Sequence, residues 1–180
     1  SELRSKYFSS GNPVRRIIGV SWRGGGTGDR IKEKSVPLNL FKQLLKDIPD
    51  FRFVSLQYGQ SKEIVDQWRN DGIDIIHDDS INPLKNMDDW IAQVAACDAV
   101  LSVANTTIHG AGGLNLPTLC LLSLNSDWRW LRNPAVKRSY WYPSVGIARQ
   151  DENSGWTSAL HQSRNWLLSG CPQPSGPCSV

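Results

Sequence analysis

The side chains best suited to chemistry in this 180-residue sequence lie in Ser102-Val103-Ala104-Asn105-Thr106-Thr107-Ile108-His109-Gly110-Ala111-Gly112-Gly113. An apolar run ends there in hydroxyl and amide side chains, and a glycine-rich helical segment begins. Unpaired N–H groups, two threonine hydroxyls and the positive end of a helix dipole would converge at Thr106 and Thr107, which makes an anion site. Capping alone accounts for Asn105 and Thr106, but not for a threonine pair followed by His109 in the first turn. A second stretch, Ser21-Trp22-Arg23-Gly24-Gly25-Gly26-Thr27-Gly28-Asp29-Arg30, joins glycines that let a ligand approach the backbone to the charges of Arg23 and Arg30. No Gly-Lys-Ser/Thr follows and no GxGxxG opens into a helix, so neither an ATPase loop nor a simple NAD site is indicated. Lys34 can place a compact charge at the same mouth. A surface loop and a solvated lysine fit these residues equally well, and both readings stay open.

Aromatic and cationic residues also cluster in Trp128-Arg129-Trp130 and in Tyr140-Trp141-Tyr142-Pro143, followed by Arg149-Gln150, with core packing as the plain alternative. His77 and His161 read as structural or exposed. No Asp-x-Asp and no His/Asp/Glu group with metal-ligand spacing occurs, and there is no Gly-x-Ser-x-Gly elbow, so a divalent metal and a serine hydrolase are not indicated.

These residues must be positioned by strands alternating with helices. Arg16–Ser21, Phe51–Leu56, Ile73–Ile76, Ala99–Val103, Pro117–Leu122 and Val145–Ala148 are short apolar runs. Helical periodicity follows Pro37 (Leu38, Phe41, Leu44, Leu45) and Ser61 (Ile64, Val65, Trp68). It recurs from Met87 or Asp88 through Ala96, over Thr106–Leu114 and over Trp156–Leu168. The expected fold class is α/β, a Rossmann-like parallel sheet covered by helices, with ligands beyond the strands' carboxyl ends. The loops after Ser21, Gln57, His77, Val103 and Leu122 would then form the site.

Composition agrees with one ordinary globular domain: 39% hydrophobic, 21% charged, net charge +3, and no apolar run of membrane-spanning length. That charge is too weak to indicate nucleic acid. It is segregated: +7 over residues 1–62, −6 over 63–89 and +4 over 99–150. Two basic segments brought together would suit a compact anion such as a diphosphate, while solvated faces of mixed sign are the bland alternative. Cys97 and Cys120 read as small core hydrophobes. Cys171 and Cys178 fall in a Pro/Gly/Ser-rich stretch that predicts a disordered tail over 170–180, after a domain at 14–169 and an N-terminal extension at 1–13. The opening Ser-Glu-Leu-Arg lacks an initiator Met and an apolar signal region, as expected of a piece of a longer chain.

Six motifs occur in an order that resembles bacterial tetratricopeptide-linked glycosyltransferases, relatives of the lipopolysaccharide heptosyltransferases and, more distantly, of O-GlcNAc transferase. They are Gly19-Val-Ser-Trp-Arg-Gly, Lys34-Ser-Val-Pro-Leu, Val54-Ser-Leu-Gln, Asn105 through Pro117, Asp127-Trp-Arg-Trp, and Trp141-Tyr-Pro-Ser with Arg149-Gln. The resemblance covers about residues 14–168. It implies one half of a GT-B enzyme, the half that binds a nucleotide-diphosphate sugar as donor, with no metal and no cofactor. Carried over by position, Lys34, Arg23 and His109 are catalytic. Lys34 and the Thr106–Thr107 helix start hold the diphosphate, Arg23 neutralises the leaving group, and His109 supports the loop or touches phosphate. Ser21, Gln57, Met87, Asp88, Trp90 and Asn105 complete the donor site, Met87 through Trp90 walling the base or ribose. Ala104-Asn105 departs from the Asp-Thr of many members. The resemblance also implies a cytoplasmic location, at most at the inner face of the membrane, with no transmembrane segment. The acceptor site and general base are expected in an N-terminal half absent from this sequence, so the isolated chain should have little transferase activity and its standing as an enzyme is open. Two alternatives remain: a non-catalytic nucleotide-sugar-binding or scaffold module, and a sugar-nucleotide epimerase or hydrolase using carboxylates such as Asp78, Asp79, Asp88 or Asp89.

Overall fold

A computed structural model describes residues 2–10, 13, 15–48, 50–59, 61–130, 133 and 135–175. Strands β1 (Arg16–Ser21), β2 (Phe51–Ser55), β3 (Ile75–Ile76), β4 (Ala99–Val103), β5 (Thr118–Leu122) and β6 (Val145–Arg149) form one sheet in the order β3-β2-β1-β4-β5-β6. Every pairing between them is parallel. Helices α1 (Glu2–Ser9), α2 (Asp29–Lys34), α3 (Leu38–Lys46), α4 (Lys62–Asn70), α5 (Met87–Ala95), α6 (Thr106–Gly113) and α7 (Thr157–Leu168) flank it, with a 3-10 turn at Trp128–Trp130. The expected doubly wound α/β architecture is therefore the one adopted.

The strands read as continuous apolar runs because both faces of the sheet are covered. Ile18, Val20, Phe53, Leu101 and Val103 point to one face, packing with Phe41, Leu44, Trp68, Leu160 and Leu167. Ile17, Val54, Leu56 and Val100 point to the other, against Tyr7, Trp90, Val94 and Ala111. The outer edge of β6 is covered by its own approach segment, where Ile147 N–H donates to Lys137 O and Ser139 N–H to Val145 O. Chain order reverses at β1, which lies between β2 and β4, with Ser21 opposite Ser102. The loops leaving β1 and β4 diverge there, opening a crevice at the switch point.

Three expectations change. Residues 2–9 belong to the domain: Tyr7 is fully buried, its hydroxyl donating to Asp78 Oδ2 at 2.8 Å, while Lys6 reaches the same carboxylate and Arg4 pairs with Asp98. Buried Arg52 donates to the carbonyl of Tyr7 at 2.6 Å and grips Asp74 through Nε and Nη2. At the other end, residues 170–175 dock where a disordered tail was expected. Cys171 is buried, Trp166 Nε1 donates to Pro172 O and Gln173 Nε2 to Asn115 O. Residues 176–180, with Cys178, lie outside the described residues. The glycine loop contains the short helix α2, and β3 spans two residues where four were predicted.

Candidate functional site at the switch point

The register that sets Ser21 beside Ser102 brings the ends of β1 and β4 within reach of one side chain, Asn105. Its Oδ1 accepts the N–H of Thr107 at 2.9 Å, capping α6, and the hydroxyl of Ser102 at 3.2 Å. Its Nδ2 donates to Ser21 Oγ at 2.8 Å and to Arg23 O at 3.1 Å. Ser21 in turn donates to Gln57 Oε1 at 3.0 Å, which also accepts the N–H of Arg23. Gln57 Nε2 donates to Tyr58 O, and Ser61 Oγ donates to Gln57 O. This hydrogen-bonded brace ties the ends of β4, β1 and β2 together, satisfying polar groups that burial would otherwise penalise. Ser21 and Gln57, expected to touch a ligand, are buried within it at 1% and 6% exposure. Asn105 is likewise committed to the brace.

The outward-facing residue at this corner is Thr106. It is exposed, and its N–H and hydroxyl make no hydrogen bond within the described residues. With no acid in the first turn of α6, the helix dipole is uncompensated there. Thr106 and the buried Thr107 line a cleft of about 230 Å³ whose other walls are Tyr58, Pro83, Leu84, Met87 and Trp90. Asn86 caps α5 by accepting the N–H of Asp88 at 3.0 Å, which fixes Met87 at the rim. Trp90 is 4% exposed, and its indole N–H has no partner. Gly110 lets α6 lie against that indole, since a Cβ there would stand 3.0 Å from the six-membered ring. Met87, Trp90, Thr106 and Thr107 are thus gathered in one cleft, whereas the Asp88 side chain lies outside its lining.

Lys34 ends α2 on the other side of the β4 terminus. It lines a recess of about 10 Å³ with Ala104, Ser123, Asp127 and Trp130. Gly24 permits this placement, because a Cβ at that position would meet Lys34 Cβ at 2.4 Å and Lys34 O at 3.0 Å. Arg23 is exposed, its backbone held at both N–H and C=O by the brace. His109 Nδ1 shares a hydrogen bond of 3.0 Å with the Tyr142 hydroxyl, and its ring neighbours Trp130. Burial first, then the charge of Arg129, lower its pKa below the ordinary histidine value, which keeps it neutral at pH 7. Among the described residues, no group of three or more His, Cys, Asp and Glu side chains could hold a metal ion.

Sequence reasoning missed Tyr58, Pro83 and Leu84. Tyr58 follows the Gln57 strand end and was within reach of the same argument; Pro83 and Leu84 carry no local signal. Tyr142 read as core packing, and its contact with His109 depends on Gly112, where a Cβ would lie 2.5 Å from the tyrosine ring.

An apolar slot beside an open helix N-terminus, at the switch point of a doubly wound sheet, has the form of a nucleotide-type site. No family model matches the sequence. Protein FlbA of Caulobacter vibrioides (strain ATCC 19089 / CIP 103742 / CB 15) is 28% identical over 144 residues, covering 79% of this chain and 23% of that protein. Among solved structures, E. coli ADP-heptose lipopolysaccharide heptosyltransferase II matches with a TM-score of 0.66 and 16% identity, over 94% of this chain and 51% of its own. The glycosyl transferase family 9 structure from Veillonella parvula DSM 2008 matches with a TM-score of 0.60 and 12% identity, over 94% and 50%. These likenesses establish a GT-B glycosyltransferase-like fold. The chain spans about half the length of those structures and about a quarter of FlbA. No described helix is long and apolar enough to cross a membrane.

Proposed function

We propose that the chain is the donor-binding half of a glycosyltransferase, holding a nucleotide-diphosphate sugar while an acceptor hydroxyl displaces the nucleoside diphosphate. The observation that carries this reading is the cleft in which exposed Thr106 opens the N-terminus of α6 beside an apolar slot. The base lies between Tyr58, Met87 and Trp90, and the diphosphate rests on Thr106 and Thr107. Lys34 approaches from the β5 side. As the glycosidic bond breaks, negative charge grows on the leaving phosphate oxygen. Lys34, Arg23 and the helix dipole stabilise it without a metal ion. Neutral His109 anchors the first turn through Tyr142 and adds no charge. In this reading the acceptor site and general base belong to a second half, the parent protein is a cytoplasmic, tetratricopeptide-linked enzyme, and the isolated chain transfers little sugar. The epimerase alternative loses Asp78, which is 6% exposed and already bonded to Lys6, Tyr7 and Ser80.

Calorimetry with UDP, ADP and GDP in chelator tests the reading. Binding of at least one, weakened about ten- to a hundredfold by Lys34→Ala, is the expected result for loss of a charge-assisted contact. Strict dependence on magnesium or manganese would overturn the metal-free mechanism. Equal affinity in the two proteins would remove Lys34 from the site.

A further inference from the structure

We infer that a second recess, at the carboxyl ends of β5 and β6, is a binding site for a neutral saccharide. This rests on the reading above, because its meaning as the sugar side of the track depends on the nucleotide lying over α6. The recess has a volume of about 520 Å³, within the range of small-molecule sites. It lies next to the phosphate corner: Ser123, the first residue after β5, lines both this recess and the small one that holds Lys34. Cleft, Lys34 recess and β5–β6 recess therefore follow one another across the carboxyl end of the sheet, in the order base, phosphate, sugar.

The lining specifies the ligand. It presents two cations, Lys137 and Arg149, and two carboxylates, Asp151 and Glu152, so the charges cancel and a phosphate or other strong anion gains nothing there. One exposed apolar side chain, Leu124, faces it, too little for a hydrophobic peptide anchor. Asp151 is spent on the turn at 151–155, accepting from the N–H groups of Asn153 and Ser154. Other groups keep unused capacity. Gln150 Oε1 accepts the N–H of Leu124 at 3.2 Å, which fixes the amide and leaves its NH2 without an acceptor among the described residues. Asn125, Lys137 and Glu152 have no side-chain partner within the described residues. Fixed amide donors beside a carboxylate and an ammonium match vicinal hydroxyls, each of which donates and accepts.

The test is a 1H–15N NMR titration of the 180-residue chain, without nucleotide, using the methyl glycosides of glucose, galactose, mannose, N-acetylglucosamine and rhamnose, and lactose, to 100 mM. Saturable shifts confined to residues 123–125, 150–152 and 158–162 for at least one sugar are expected. The exposed double substitution Asn125→Ala/Glu152→Ala should weaken that binding fivefold or more while leaving the remaining spectrum unchanged. Absence of local saturation with every probe, or an unaltered affinity in the double variant, overturns the saccharide site. A parallel titration with UDP, ADP and GDP, read at Thr106 and Thr107, separates this outcome from failure of the nucleotide reading, since either can fail alone.

Discussion

Asn105→Asp separates the two tasks of the residue at the centre of the site. The carboxylate keeps an oxygen for the N–H of Thr107, so the α6 cap survives, and the negative charge at a helix N-terminus gains about 0.3–1 kcal/mol. The two bonds donated by Nδ2, to Ser21 Oγ at 2.8 Å and Arg23 O at 3.1 Å, are lost, and two acceptors then face a carboxylate oxygen. Two neutral hydrogen bonds contribute about 0.5–1.5 kcal/mol each. The expected net loss is about 1–2 kcal/mol at pH 7, which lowers the Tm of a domain this size by about 2–8 °C. The sign of the pH dependence identifies the cause. Once protonated, the introduced carboxyl carries an O–H that can restore one donated bond, so the folded state raises its pKa, and the deficit against wild type shrinks as pH falls from 7 to 4. Thermal unfolding followed by circular dichroism at both pH values measures it. A variant as stable as wild type at pH 7, or a deficit unchanged at pH 4, would refute the brace.

Other consequences are local. Gly24→Ala forces its Cβ onto Lys34 Cβ and carbonyl; nucleotide affinity measured by calorimetry should fall severalfold toward that of Lys34→Ala. Gly112→Ala places a methyl 2.5 Å from the Tyr142 ring; it should cost about 1–3 kcal/mol in denaturant unfolding and displace the His109 imidazole resonances as their tyrosine partner moves away. Burial raises the Asp78 pKa, but hydrogen bonds from Lys6, Ser80 and Tyr7 outweigh it and hold the carboxyl at about 2, against 3.8 ordinarily. Its stabilisation is full above pH 3.8 and is lost as pH falls toward 2, so acid unfolding monitored by fluorescence should be shallower over that interval in Asp78→Asn.

The strands and the helices α3 to α7 were legible because each states its burial locally. Leu38, Phe41, Leu44 and Leu45 repeat at helical spacing, and two covered sheet faces leave unbroken apolar runs. Helix α1 makes no such statement. Tyr7 is its one fully buried side chain, and its attachment comes from Asp98, Asp78 and Arg52, forty-five or more positions away. Composition likewise hid the docking of residues 170–175, because Cys171 takes its burial from the domain rather than from its Pro/Gly/Ser neighbours.

The same distinction governs the site. Ser21, Gln57, Asn105, Thr106 and Thr107 all read as polar residues at strand ends, and residue type could not sort them. The alignment of Ser21 with Ser102 does, since it turns Asn105 inward to the β1 terminus and leaves Thr106 facing outward. Burial then divides the labour: Ser21, Gln57 and Asn105 hold three strand ends at a set separation, and Thr106, Met87 and Lys34 are left to meet a ligand. Substitutions in the first group should therefore lower stability and affinity together, whereas substitutions in the second should lower affinity at unchanged stability. Measuring Tm and nucleotide affinity on the same variants distinguishes the two groups, and a Gln57→Ala protein that lost affinity without losing stability would return Gln57 to the ligand.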